Sequence, residues 1–117
     1  MSPAPFEWKA YDWSGEAGPG WKPLVDLLQT IAKAHDFPIG QVKEKFGTLR
    51  VYADGPDWFD DLITQLEDAS AHICERCGAP GRLRRFGWVI TACDPCAEQT
   101  GQTEYQVDAN GKRIIGT

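Results

Sequence analysis

Cys74-Glu-Arg-Cys77-Gly-Ala-Pro-Gly81, then Arg82-Leu-Arg-Arg-Phe-Gly-Trp-Val-Ile-Thr-Ala92, then Cys93-Asp-Pro-Cys96: this run decides the fold. It holds all four cysteines of the 117-residue chain, as two C-x-x-C pairs with fifteen residues between them. That is the paired-cysteine zinc pattern. A C-x-x-C turn sets two thiolates on one side of a metal. Two such turns joined by a hairpin supply four soft ligands at tetrahedral corners, with Zn–S of ~2.3 Å. Gly78 and Gly81 suit the tight turn after the first pair, where positive φ is often needed. Residues 82–86 and 88–92, on either side of Gly87, read as the two strands of the hairpin.

Three meanings are open to such a site. Four thiolates close the coordination shell, leave no position for water and hold a small module together, and four-cysteine sites are mostly of this structural kind. Cys93-Asp-Pro-Cys96 is faintly similar to the C-G-P-C of thioredoxins, but a redox pair stands alone after a strand and opens a helix. Here a second pair lies at metal distance. A deaminase zinc needs H-x-E ahead of P-C-x-x-C; His72 is followed by Ile73 and Cys74, so the glutamate is missing. The expectation is a structural Zn2+ held by Cys74, Cys77, Cys93 and Cys96. No G-x-S-x-G, Walker or H-E-x-x-H motif occurs, so no catalytic residue is assigned and the chain is read as non-enzymatic.

The length fits one domain, or one small domain with a stapled module. No apolar run approaches the ~18 residues of a membrane span. The start, Met1-Ser-Pro-Ala-Pro-Phe-Glu-Trp8, lacks the basic and apolar regions of a secretory signal. With cysteines in metal spacing, this points to a reducing cytoplasm. The net charge of −5 is unevenly placed: residues 1–73 carry −6, residues 74–96 carry +2 and residues 97–117 carry −1. An acidic chain is a poor general binder of nucleic acid, because phosphate neutralisation drives that binding. Arg76, Arg82, Arg84 and Arg85, beside Phe86 and Trp88, are the group that could answer this objection. The plainer reading puts the two aromatics in a small ribbon core and leaves the arginines solvated or paired with acids.

Working outward, Trp21, Leu24, Val25, Leu28, Ile31 and Ala32 fall at helical spacing after the break Gly18-Pro-Gly20, with Pro23 in the first turn. This is a helix over about 22–35, with His35 near its end as a surface or capping residue. Gln41–Asp54 reads as a β-hairpin, strands about 41–46 and 49–53, turning at Gly47-Thr48. Val42 and Phe46 would share a face, with Lys43 and Lys45 opposite. Glu44 then lands on the apolar face. It is at a solvated edge, or pairs with Arg50, or the segment is instead a short helix ending at Gly47. Asp57 is placed to cap a second helix running to about residue 73. Its apolar positions are Trp58, Phe59, Leu62, Ile63, Leu66, Ala69 and Ile73, and its polar face carries Asp60, Asp61, Glu67 and Asp68. Residues 1–20 form an extended arm bearing Phe6, Trp8, Tyr11 and Trp13, which packs on the domain or meets a partner. Residues 97–117 are a polar tail or a third hairpin turning at Asn110-Gly111.

The segments Gly18-Pro-Gly-Trp21-Lys-Pro-Leu24, Gln41-Val-Lys-Glu-Lys-Phe-Gly-Thr-Leu-Arg-Val-Tyr52, Cys74-Glu-Arg-Cys77-Gly-Ala-Pro-Gly81 and Trp88-Val-Ile-Thr-Ala-Cys93-Asp-Pro-Cys96 resemble a family of small uncharacterised proteins from phages, prophages and bacteria. The resemblance covers roughly residues 18–96 and implies a mobile-element setting and a zinc-bound C-terminal module. It transfers no catalytic residues. In that setting, a small acidic protein is expected to bind and inhibit a host protein, such as a defence nuclease. Trp8, Trp13, Asp60, Asp61, Glu67 and Asp68 would be the contact residues. The alternative is a nucleic-acid-binding zinc ribbon using Arg82, Arg84, Arg85 and Trp88. The expected architecture is α+β. Residues 1–20 are an arm, residues 21–73 are two helices on a small antiparallel sheet, residues 74–96 are a four-cysteine zinc ribbon, and residues 97–117 are the tail.

Overall fold

The computed structural model describes residues 7–85 and 89–99, together with the backbone of two short strands at 106–107 and 113–114. Its first helix, α1 (Lys22–His35), follows a 3₁₀ turn at Pro19–Trp21 and carries Pro23 in its first turn. Trp21, Val25, Leu28 and Ala32 bury completely, as the three-and-four spacing requires. Asp36 ends the helix in the left-handed region at φ 59, its N–H reaching back to the last carbonyls.

The hairpin forms, and the rival short helix does not. Strands β1 (Ile39–Lys45) and β2 (Thr48–Ala53) pair antiparallel, Lys45 opposite Thr48 and Val42 opposite Val51. The turn is one residue earlier than expected, at Phe46-Gly47. Both residues have positive φ, 52 and 83, the type I′ pattern that matches strand twist. Phe46 therefore does not join Val42 on the core face; it stands in the turn, 70% exposed. Glu44 does lie on the core-side register, opposite Leu49. It neither pairs with Arg50 nor sits in a short helix, and it stays partly exposed. Its Oε1 accepts the Gly47 N–H at 2.7 Å, so the carboxylate closes the turn of its own hairpin.

Helix α2 (Asp57–Ser70) buries Phe59, Ile63, Leu66 and Ser70 against α1 and β2. The residue at its N-cap is Pro56 and no side chain caps it, so Asp57 is a first-turn residue whose charge faces the helix dipole. The helix stops three residues short of the expected end. Ala71, His72 and Ile73 donate to carbonyls three residues back, tightening the chain towards Cys74, and Ile73 then bridges to Pro80.

Both edges of the β1–β2 ribbon are occupied. Glu16 O accepts the Glu44 N–H along β1. On the β2 side, Ser70 Oγ accepts from Leu49 N at 2.9 Å and Glu67 Oε2 accepts from Val51 N at 3.0 Å. Glu67 is thus a structural residue rather than part of a free acidic face. The arm lies along the domain, with Trp8 Nε1 donating to Phe37 O and the Tyr11 backbone exchanging two hydrogen bonds with the Gln29 side chain. Trp8, Tyr11 and Trp13 pack on the core, the first of the two roles open to them. Phe6 lies outside the described residues.

The C-terminal module is strands β3 (Arg82–Arg85) and β4 (Val89–Ala92), paired antiparallel, followed by a helix that the sequence pattern did not announce, α3 (Asp94–Gln99). Phe86, Gly87 and Trp88 lie outside the described residues, so their expected core role does too. Strands β5 (Gln106–Val107) and β6 (Arg113–Ile114) pair antiparallel, in agreement with a third hairpin; its Asn110-Gly111 turn lies outside the described residues. Among the described residues no helix is long and apolar enough to cross a membrane.

Candidate metal centre

Two turns bring the cysteines together. In the first, Cys74 O accepts the Gly78 N–H at 2.9 Å and Gly78 sits at φ 83, where a side chain would be strained. In the second, Cys93 leaves β4 and Cys96 lies in the first turn of α3, with Ala97 N donating to Cys93 O at 3.0 Å. A strand leading through C-x-x-C into a helix is the local setting of a redox pair. It does not stand alone here, because the four sulfur atoms all lie within 4.8 Å of one another.

Four sulfurs each ~2.3 Å from one ion stand roughly 3.8 Å apart at tetrahedral corners. The Cys77 and Cys93 sulfurs are 3.6 Å apart, and none of the four cysteines is joined to another by a disulfide. The acid–base chemistry of the cluster fits a cation as well. Burial opposes ionisation of Cys74, but N–H groups of Cys93, Cys77 and Arg76 outweigh it and bring that thiol down to about 6. Cys96 is pushed up to about 12 by hydrogen bonds with Cys93 and Cys77 and by burial. Cys77 gains from the Ala79 N–H, yet the Cys93 and Cys74 thiols carry it upward. Of these three thiols only Cys74 is eased towards its charged form by the protein, whereas a bound divalent ion strips thiol protons by its own charge. The residues present fit a metal of the zinc type.

The site is held from the other half of the chain. Gly20 N donates to Glu75 O at 2.6 Å, and a Cβ on Gly20 would overlap the Cys74 carbonyl. The Trp21 indole N–H donates to Ile73 O at 2.9 Å. Glu75 N donates to Thr91 O, and Thr91 Oγ1 donates to Gly47 O at 2.6 Å, which ties the metal turn to the ribbon and the ribbon to the β1–β2 turn. Gly18-Pro-Gly20, read from sequence as a break ahead of the helix, and Trp21, read as one of its apolar positions, are therefore the cradle of the first cysteine turn. Its signal was the rigid Gly-Pro-Gly spacing ahead of a Trp.

Of the residues singled out from sequence, Cys74, Cys77, Cys93 and Cys96 converge. The arginines do not form one surface. Arg84 is buried, its Nε donating to Ala92 O at 2.9 Å and its guanidinium paired with Asp94 at 2.5 Å. That pairing holds the Asp94 carboxyl below its ordinary value. Arg84 thus locks β3 to the start of α3 and is turned away from any phosphate outside. Arg76, Arg82 and Arg85 are not buried with it, and Trp88 lies outside the described residues. Asp60, Asp61 and Asp68 are not buried on α2, whereas Trp8, Trp13 and Glu67 are engaged as described above.

No family model matches this chain, and no curated protein or solved structure matches it.

Proposed function

We propose that this is a non-enzymatic binding protein whose C-terminal half is held in shape by one structural Zn2+ on Cys74, Cys77, Cys93 and Cys96. The observation that carries the reading is the set of four cysteine sulfurs within 4.8 Å of one another, joined by backbone bonds to the main core. Four thiolates saturate a tetrahedral ion, so such an ion organises structure and offers no position to a reacting water. In the open groove of about 420 Å³ beside the arm, Tyr11 already donates to Glu16 and Lys22 is paired with Asp26. The groove's one lining carboxylate, Asp12, accepts two hydrogen bonds from Ser14.

Elemental analysis of protein purified under reducing conditions tests this, with one zinc per chain expected. Less than stoichiometric metal, or a metal whose removal leaves the fold intact, contradicts it. The resemblance to phage and prophage proteins adds a setting in which the partner is a host defence protein. For that form, exposed Trp58, stacked edge-on with His35 beside the acids of α2, is the surface to test. Host protein captured by the wild type and equally by Trp58→Ala and Asp61→Lys would count against it.

A further inference from the structure

The outward face of the β1–β2 ribbon is built against its own stability in three ways. Cross-strand partners share a face, so Lys43 stands directly opposite Arg50, and like charges so placed repel. Among the described residues no carboxylate lies within ion-pair distance of Lys43, Lys45 or Arg50, and Arg50 Nε is shielded from solvent with no hydrogen-bond partner. Phe46 occupies a left-handed turn position that asparagine or glycine ordinarily fills, and 70% of it is exposed, so neither backbone preference nor burial explains it. Tyr52, 49% exposed, shares the face. Each aromatic carries a cation: Lys43 Nζ lies 5.7 Å from the Tyr52 ring centre and Lys45 Nζ lies 5.5 Å from that of Phe46.

Resting on the zinc-stabilised binding-protein reading, we propose that Lys43, Lys45, Phe46, Arg50 and Tyr52 form a binding surface for single-stranded nucleic acid. Phosphates neutralise the uncompensated cations, and unpaired bases stack on the two exposed rings. Phe46 stands one position beyond the Lys45–Thr48 pair, so it and Tyr52 are five positions apart along the ribbon, about 16 Å at ~3.3 Å per strand residue, or roughly five stacked-base steps at ~3.4 Å each. An acidic polypeptide would satisfy the cations and leave the rings idle. The net charge of the whole chain does not forbid the contact, since at ~0.1 M salt charges beyond about 10 Å are largely screened. The surface differs from the arginine group expected from sequence, of which Arg84 is locked inside the ribbon.

The test is fluorescence anisotropy of labelled oligo-dT and oligo-U, ~12 nucleotides long, with the full zinc-loaded chain at ~20 and ~150 mM salt. Binding is expected at low salt, weakening with a log–log slope of about −2, about 0.7 for each of three cations. Combined Lys43→Glu, Lys45→Glu and Arg50→Glu should cost more than roughly tenfold in affinity, and Lys33→Glu on α1 should cost nothing. Phe46→Asn gives the distinctive readout. It should raise the melting temperature by about 4 °C through the relaxed turn, yet weaken binding at least roughly fivefold. Zinc-loaded protein that binds neither oligonucleotide overturns the surface and leaves the metal reading intact. So does binding that survives the charge reversals, or affinity for polyglutamate or for a second copy of the chain in place of the oligonucleotides. Protein that is metal-free as purified, yet folded and binding as expected, overturns the zinc reading and leaves this surface standing.

Discussion

A glycine decides whether the metal turn can be reached. Gly20 brings its N–H to Glu75 O, and a side chain there would run into the Cys74 carbonyl, so Gly20→Ala forces apart a close backbone approach between the main core and the cysteine turn. We expect it to cost at least about 2 kcal/mol in urea denaturation and to lower zinc affinity; an unchanged midpoint would contradict the contact. Glu75, next in the turn, carries a pKa raised above its ordinary 4.5, first by burial and then by the nearby Glu44 carboxylate, against the Gly18 N–H that favours its charge. Its Oε2 has no partner. A raised carboxyl pKa means the native state binds its proton more readily than the unfolded chain. Stability from this group therefore falls as pH rises from 4.5 through the raised value. Glu75→Gln, zinc-saturated, should gain on the wild type as pH climbs through that window; a pH-independent difference between the two melting curves would refute it.

At the level of elements, the β1–β2 ribbon survives as two strands because other elements finish its edges. A two-stranded hairpin is marginal alone. Here Ser70 and Glu67, three residues apart on α2, meet Leu49 N and Val51 N, two apart on β2. Ser70→Ala leaves the buried Leu49 N–H without an acceptor and should cost about 1–3 kcal/mol. Hydrogen exchange at Leu49 should accelerate with it, and protection unchanged there would show that another group had taken over. The helices and this hairpin could be anticipated from period and turn residues. That Glu67 would leave the acidic face could not, because a carboxylate at a solvated spacing and one reaching a strand edge look alike in a linear pattern.

Across the whole molecule, the cysteine cluster is not an appendage. Its first turn is bonded to the Gly20–Trp21 segment, and its ribbon is bonded to the hairpin turn through Thr91. Metal removal should therefore reach the main core. Structural zinc contributes on the order of 10–16 kcal/mol in small finger peptides, more than the stability of most domains. Chelation under reducing conditions should abolish the near-ultraviolet signal of Trp21 and broaden amide signals in α1 as well as in residues 74–96, reversibly on adding zinc. Loss confined to residues 74–96 would show two independent units.

The clustered cysteines, the two main helices, the first hairpin and the α+β class were readable from the chain because each rests on a local rule: ligand spacing, the 3.6-residue period, a glycine beside a reversal. Three things were set only by the fold. Gly20 faces Cys74 across more than fifty residues, Arg84 is buried against Asp94 while Arg82 and Arg85 stay exposed, and Lys43, Arg50 and Tyr52 come to share the outward face of the ribbon beside the exposed Phe46. Each depends on which partner arrives from a distant segment, and linear order does not encode that until the core has closed and fixed the register.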